Sequence, residues 1–192
     1  GGDLQAIIVD GTDVPLRPGS ITQFHGIALS EGQVAFTSTT ASGLGAIYLG
    51  TPTALKTVAD TFLGIPYGLG TFSSFDPQLA HERGSIAFVG HGRDGQVGVY
   101  ATLGGKVQKI VDLDDQLDGK TPVDFGIGRD ALSGNRIAFH VRFDDGSEGV
   151  HVAEVDAENL HFVDIVAGTV STDVNFANQA RPGSIRGVKF HD

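Results

Sequence analysis

One strand-like segment recurs four times at an almost constant interval, so any fold for this chain has to place the copies equivalently. GQVAF (32–36) returns as GSIAF (84–88), NRIAF (135–139) and RGVKF (186–190). Its first apolar residue, Val34, Ile86, Ile137 and Val188, advances by 52, 51 and 51 residues. Three further series run in step. AIYL (46–49), GVYA (98–101) and GVHV (149–152) place Ile47, Val99 and Val150 at spacings of 52 and 51. LQAIIVD, LKTVAD, VQKIVD and LHFVDI align Asp10, Asp60, Asp112 and Asp164 at 50, 52 and 52. A lone aromatic ahead of each copy, Phe24, Phe75, Phe125 and Phe176, recurs at 51, 50 and 51. Four registers in agreement mark tandem units of about 51 residues.

Each unit reads as four antiparallel strands. The first three triplets alternate large and small apolar residues with the period of two that a strand requires. Ser42-Gly43, Arg93-Asp94-Gly95 and Asp144-Asp145-Gly146 supply hairpin turns after them. The stretches opened by the repeating Phe (24–29, 75–79, 125–132) supply a strand before them. With 28 Gly and 19% charged residues, the composition suits short strands and tight turns. A four-stranded meander at this period predicts the blade of a β-propeller; alternation excludes helical solenoids, and leucine-rich or hexapeptide coils need shorter periods. Ala35, Ala87 and Ala138, interleaved with Phe36, Phe88 and Phe139, predict sheets buried on both faces, one blade's bulky side chain meeting its neighbour's small one. Lys189 breaks the pattern in the last copy.

The expected fold is therefore all-β: a single domain over residues 1–192, a propeller-like array of about four small antiparallel sheets. A length of 192 residues over this period is about 3.7 units, so the fourth blade is expected to be shared between the N- and C-termini. Residues 174–177 and 185–190 would form its first strands and residues 4–10 its last, which removes exposed sheet edges. No counterpart of AIYL follows Phe190. Either that blade has three strands, or a neighbouring subunit or further chain supplies the fourth.

The runs Leu117-Asp118-Gly119-Lys120-Thr121, Ala131-Leu132-Ser133-Gly134-Asn135-Arg136-Ile137-Ala138-Phe139 and Phe143-Asp144-Asp145-Gly146-Ser147-Glu148-Gly149-Val150, with Gly70-Thr71-Phe72-Ser73-Ser74-Phe75 as a linker, resemble a known group. These are secreted bacterial repeat proteins of uncharacterised function, often carrying a PEP-CTERM-type sorting tail. The resemblance covers nearly the whole chain and implies a propeller-like fold and export to a bacterial surface. It carries no catalytic residue with it, and the tail itself does not occur in this sequence.

Charge and motifs narrow the function classes. The net charge is −10, with 23 acidic against 13 scattered basic residues, which argues against nucleic acid and anionic membrane surfaces as partners. No run of 18 apolar residues exists to insert in a membrane. The chain begins at Gly1 and contains no Met, so an initiator and any signal peptide are expected outside it. Absence of Cys removes thiolate chemistry.

His140 and His191 follow the triplet aromatic in adjacent repeats, but a zinc site needs three or four convergent ligands, and the equivalent positions are Thr37 and Val89. The stretch Asp112 to Gly119 departs from a calcium loop at Gln116 and Phe125 in one register and at Leu117 and Val123 in the other. It reads instead as a solvated inter-blade loop. Nucleophile-elbow, zinc-protease, Walker and dinucleotide motifs do not occur. No catalytic, cofactor-binding or metal residues are therefore expected, and no cofactor. The apolar linker from Phe62 to Phe72 is expected either to fold over the core or to form an exposed patch for a partner.

The function expected is a non-catalytic exported structural or interaction module, self-associating through the edge of its incomplete blade. The alternative is a carbohydrate-binding or glycoside-processing propeller, against which the lack of Trp and the presence of only three Tyr count.

Overall fold

The repeated alternation of β-branched and aromatic residues with small ones folds into strands throughout. A computed structural model describes residues 5–103 and 105–155, together with the backbone of 160–163, and the regular structure among them is all-β. The first sheet has the order β1 (Ile21–Ser30), β2 (Gln33–Thr40), β3 (Gly45–Thr51), β4 (Ala54–Asp60). The second repeats it with β5 (Phe72–Glu82), β6 (Ser85–Gly92), β7 (Val97–Leu103) and β8 (Lys106–Asp112). Every pairing is antiparallel, and the four aligned sequence series fall on the four successive strands. The turns after β2 and β6 use left-handed Gly43 and Gly95 (φ 82° and 83°), as the turn signals require.

The third sheet departs from the expected single strand over 125–132. Its first position is divided between β9 (Pro122–Gly126) and β10 (Leu132–Ser133), both paired with β11 (Arg136–Phe143), which continues through β12 (Glu148–Val155) to β13 (Leu160–Val163). The cause is a bulge that grows from sheet to sheet. Between Phe24↔Ser38 and Ile27↔Phe36 three residues of β1 advance against two of β2. Between Phe75↔Gly90 and Leu79↔Phe88 four advance against two. Between Phe125↔Val141 and Leu132↔Ile137 seven advance against four, and the strand breaks, with Ile127 turned into the core.

The sheets stack through unlike faces. Small Ala28, Ala35 and Ala59 of the first sheet share one core with Phe72, Leu79, Ile86, Phe88 and Tyr100 of the second. On the second sheet's other face, Ala80, Ala87, Val89, Val99 and Ala101 share another with Phe125, Ile137, Phe139 and Val141 of the third. Setting bulky side chains against small ones lets neighbouring sheets interlock. At one edge the approach is backbone to backbone: a β-carbon on Gly26 would lie 1.5 Å from the Pro77 carbonyl oxygen. Thr37 Oγ1 bridges there, accepting from the Gly26 amide at 3.1 Å and donating to that carbonyl at 3.3 Å.

Among the described residues, two faces of this stack are open. On the small face of the third sheet Val150 is 66% exposed, while its counterparts Ile47 and Val99 are 0% exposed. On the bulky face of the first sheet Ile27 of β1 is 55% exposed, while its counterpart Leu79 is 2% exposed. The β3 and β4 side of that bulky face is covered by the N-terminal segment: Ile8 joins its core and Ile7 Cγ2 lies 2.9 Å from where a β-carbon of Gly50 would be. Residues 5–10 belong to none of the three sheets. The expected partner strand, 185–190, lies outside the described residues, as do Lys189, Asp164 and residues 174–177.

Candidate functional site

Antiparallel register gathers two kinds of loop at one end of the sheets. The start of each sheet's first strand pairs with the end of its second (Ile21↔Thr40, Phe72↔Gly92, Pro122↔Phe143), so the linkers entering the sheets lie beside the hairpin turns that leave those second strands. Each linker is itself a tight turn closed by a bridge, Asp13↔Ser20, Gly64↔Thr71 and Leu117↔Lys120. Each holds one residue with a β-carbon in the left-handed region: Leu16 (φ 61°), Tyr67 (φ 59°) and Asp118 (φ 53°). Leu16 is 96% exposed and Tyr67 83% exposed.

The apolar linker divides between its two expected fates. Ile65 and Phe72 are buried and Leu63 packs against the core, while Phe62, Tyr67 and Leu69 face solvent. Leu69 is held in that position by Gln96. With the Gln96 carboxamide oriented to satisfy both ends, its NH2 donates to the Leu69 carbonyl at 2.9 Å and its oxygen accepts from the Leu69 amide at 3.0 Å.

Between the first and second repeats these loops enclose a cleft of about 440 Å³, lined by Arg17, Pro18, Ser42, Gly43, Leu44, Thr61, Phe62 and Arg93. Asp60, the strand-ending aspartate of the repeat, organises it from below. One oxygen of Asp60 accepts from Arg17 Nε at 2.9 Å and the other from the Phe62 amide at 2.9 Å. The Arg17 guanidinium in turn lies 4.7 Å from the centre of the Phe62 ring. In the next repeat Asp112 plays the same local part with different partners, accepting from the Asp114 amide at 3.1 Å and from Lys109 Nζ at 3.0 Å.

The acidic stretch expected to be a solvated loop is more engaged than that. Lys109 bridges Asp112 and Asp115 at 3.0 and 3.1 Å, and the Asp112 amide donates to Asp115 at 2.9 Å. Burial pushes the Asp112 carboxyl up, its hydrogen bond from Lys109 opposes that, and the Asp115 charge adds to the rise. His140 stands on the open face of the third sheet, 3.3 Å from Glu148; His191 lies outside the described residues. His91 is set against Asp76 at 2.7 Å, and that hydrogen bond raises its pKa. Among the described residues no cluster of three or more His, Asp or Glu side chains is placed to hold a metal ion.

The sequence placed Phe62 in the apolar linker and Arg93 in a hairpin turn, but it did not single out Arg17 or bring the three together. The signal the three share is departure from the repeat. At equivalent positions Arg17 is replaced by Gly68 and Gly119, Phe62 by Asp114, and Arg93 by Ala41 and Asp144.

No protein-family model matches the chain, and no curated protein matches it as a relative.

Proposed function

We propose that this chain is a non-catalytic, exported structural and interaction module of a bacterial surface, and that the linker end of its sheets meets the partner. The observation that carries this reading is the pair Leu16 and Tyr67, bulky side chains held in solvent on left-handed backbone. That conformation costs a residue with a β-carbon about 1 kcal/mol or more. Neither side chain offsets the cost by burial, and strain kept at an exposed position points to a use outside folding. Loops clustered on a rigid β scaffold suit recognition. Co-sedimentation with bacterial cell walls tests the reading: the unaltered chain should pellet, and a Leu16→Asn, Tyr67→Asn double variant should stay in the supernatant without losing stability. Equal behaviour of the two proteins refutes it.

The finer architecture in this proposal is a propeller closed by a fourth blade to which both ends of the chain contribute. The open faces support it, because one is small-sided and the other bulky-sided, as the two flanks of a missing blade should be. The N-terminal segment already lies over the β3 and β4 side of the first sheet, leaving the β1 side for residues 174–177 and 185–190, which repeat the pattern of the first two strands. Self-association through the edge of that blade extends the reading. Light scattering should then report an assembly larger than 20.0 kDa, and a strict monomer removes the extension.

Carbohydrate binding is the second reading, favoured by one observation: a concave site with an aromatic face and two guanidinium groups between the first two repeats.

A further inference from the structure

We infer that the cleft formed by Arg17, Phe62 and Arg93 is a binding site for the carboxylate of an acidic sugar, a uronate residue of an anionic glycan. The inference rests on the reading of the linker end as the interaction face and names the ligand class for it.

Local charge is the first argument. The chain carries 23 acidic and 13 basic residues, yet none of the eight lining residues is acidic and two are arginines. Asp60, beneath the cleft, has both oxygens engaged, one by Arg17 and one by the Phe62 amide. It neutralises Arg17 and fixes its Nε, which leaves the two terminal nitrogens of that guanidinium for a ligand. Arg93 has no ion-pair partner among the described residues, so the cleft carries an uncompensated positive charge at its mouth. A planar carboxylate matches the two parallel donors of a guanidinium fork.

Comparison of the repeats is the second argument. The fold demands Asp60 and Asp112 in both repeats, but the position of Arg93 is Asp144 in the third unit and that of Phe62 is Asp114 in the second. The same scaffold positions therefore accept an aspartate, so folding does not require the arginine and the phenylalanine at this junction.

The third argument selects a sugar over a peptide. Amides around the cleft are already engaged within the loops: Gly43 donates to the Thr40 carbonyl, Leu44 to Thr40 Oγ1, Thr61 to the Gly45 carbonyl and Leu63 to the Asp60 carbonyl. A peptide docking as an added strand would find few partners there. Side chains remain: the Thr61 hydroxyl, and the Phe62 ring, whose face away from Arg17 can stack on a pyranose, while the Ser42 hydroxyl is paired with Thr40 Oγ1 at 2.9 Å. A volume of about 440 Å³ suits one or two sugar rings.

Isothermal titration of the full chain with a galacturonate trimer, a neutral galactose trimer and a glutamate trimer tests the assignment. Arg93→Gln is the informative variant, since Arg93 is exposed and its loss should leave circular dichroism and thermal stability unchanged. Binding of the uronate alone, weakened about tenfold by Arg93→Gln and weakened again on raising salt to about 200 mM, is the expected result. The inference is overturned if the uronate gives no heat, if the neutral trimer binds equally, if Arg93→Gln binds as tightly as the unaltered chain, or if the glutamate trimer binds as well as the uronate. Continued cell-wall sedimentation that depends on Leu16 and Tyr67, alongside any of those outcomes, removes the ligand assignment and leaves the interaction face standing.

Discussion

Each sheet carries an aromatic pair at one register position: Phe36 opposite Tyr48, Phe88 opposite Tyr100, and Phe139 opposite His151, with ring centroids 5.5 to 5.9 Å apart. Such cross-strand pairs stabilise a sheet beyond their burial. Tyr48 brings a cost with it, because its hydroxyl is buried with no hydrogen-bond partner among the described residues. Burial, reinforced by the Asp60 charge, pushes its pKa up to about 12. Tyr48→Phe should therefore raise stability by about 1 kcal/mol, read as a higher urea midpoint with an unchanged slope. Two histidines set opposite pH responses. Burial lowers the His81 pKa, with the Ala28 carbonyl partly offsetting it, so the neutral ring is favoured in the fold. Its contribution is present above the unfolded value of 6.5 and is lost as pH falls through the lowered folded value. His91 is raised, first by its hydrogen bond to Asp76, so its contribution is present below 6.5 and is lost as pH rises through the raised value. Urea midpoints measured across that range should lose acid sensitivity in His81→Gln and lose alkaline sensitivity in His91→Gln.

At the scale of the strand, the growing bulge explains a small discord between the sequence series. Phe24, Phe75 and Phe125 advance by 51 and 50 while Val34, Ile86 and Ile137 advance by 52 and 51. The first strand gains one extra residue per repeat, and the aromatic at its fourth position falls one residue further back each time. The offset was visible in the sequence; that it marks bulges rather than longer turns was not, because a bulge is defined by the partner strand. Gly26 sits in the first of these bulges, at the backbone contact with Pro77. Gly26→Ala should cost about 3 kcal/mol or more by urea unfolding, because the clashing atom is a carbonyl oxygen and no flexible side chain can yield. A loss below about 0.5 kcal/mol would mean that the two sheets can separate at this edge.

For the molecule as a whole, the stacking rule yields a test of the proposed closure. If a fourth blade fills the space between the small face of the third sheet and the bulky face of the first, Val150→Lys and Ile27→Lys should each destabilise by about 2 kcal/mol, as burying an unpaired charge does. If those faces stay in water, each change should fall within about 0.5 kcal/mol. Thermal or urea unfolding of the two variants separates the cases. The sequence alone determined the unit, the four strands of its first two copies, its turns and the pairing of bulky with small side chains, because those depend on period-two alternation and on local turn chemistry. Tertiary structure decided which faces meet and which stay open, how the 62–72 linker splits between core and solvent, and that Arg17 meets Asp60, 43 residues away, in a cleft shared with Arg93. Residues so far apart in the chain become neighbours only through the way one sheet stacks on the next, and no local pattern encodes that distance.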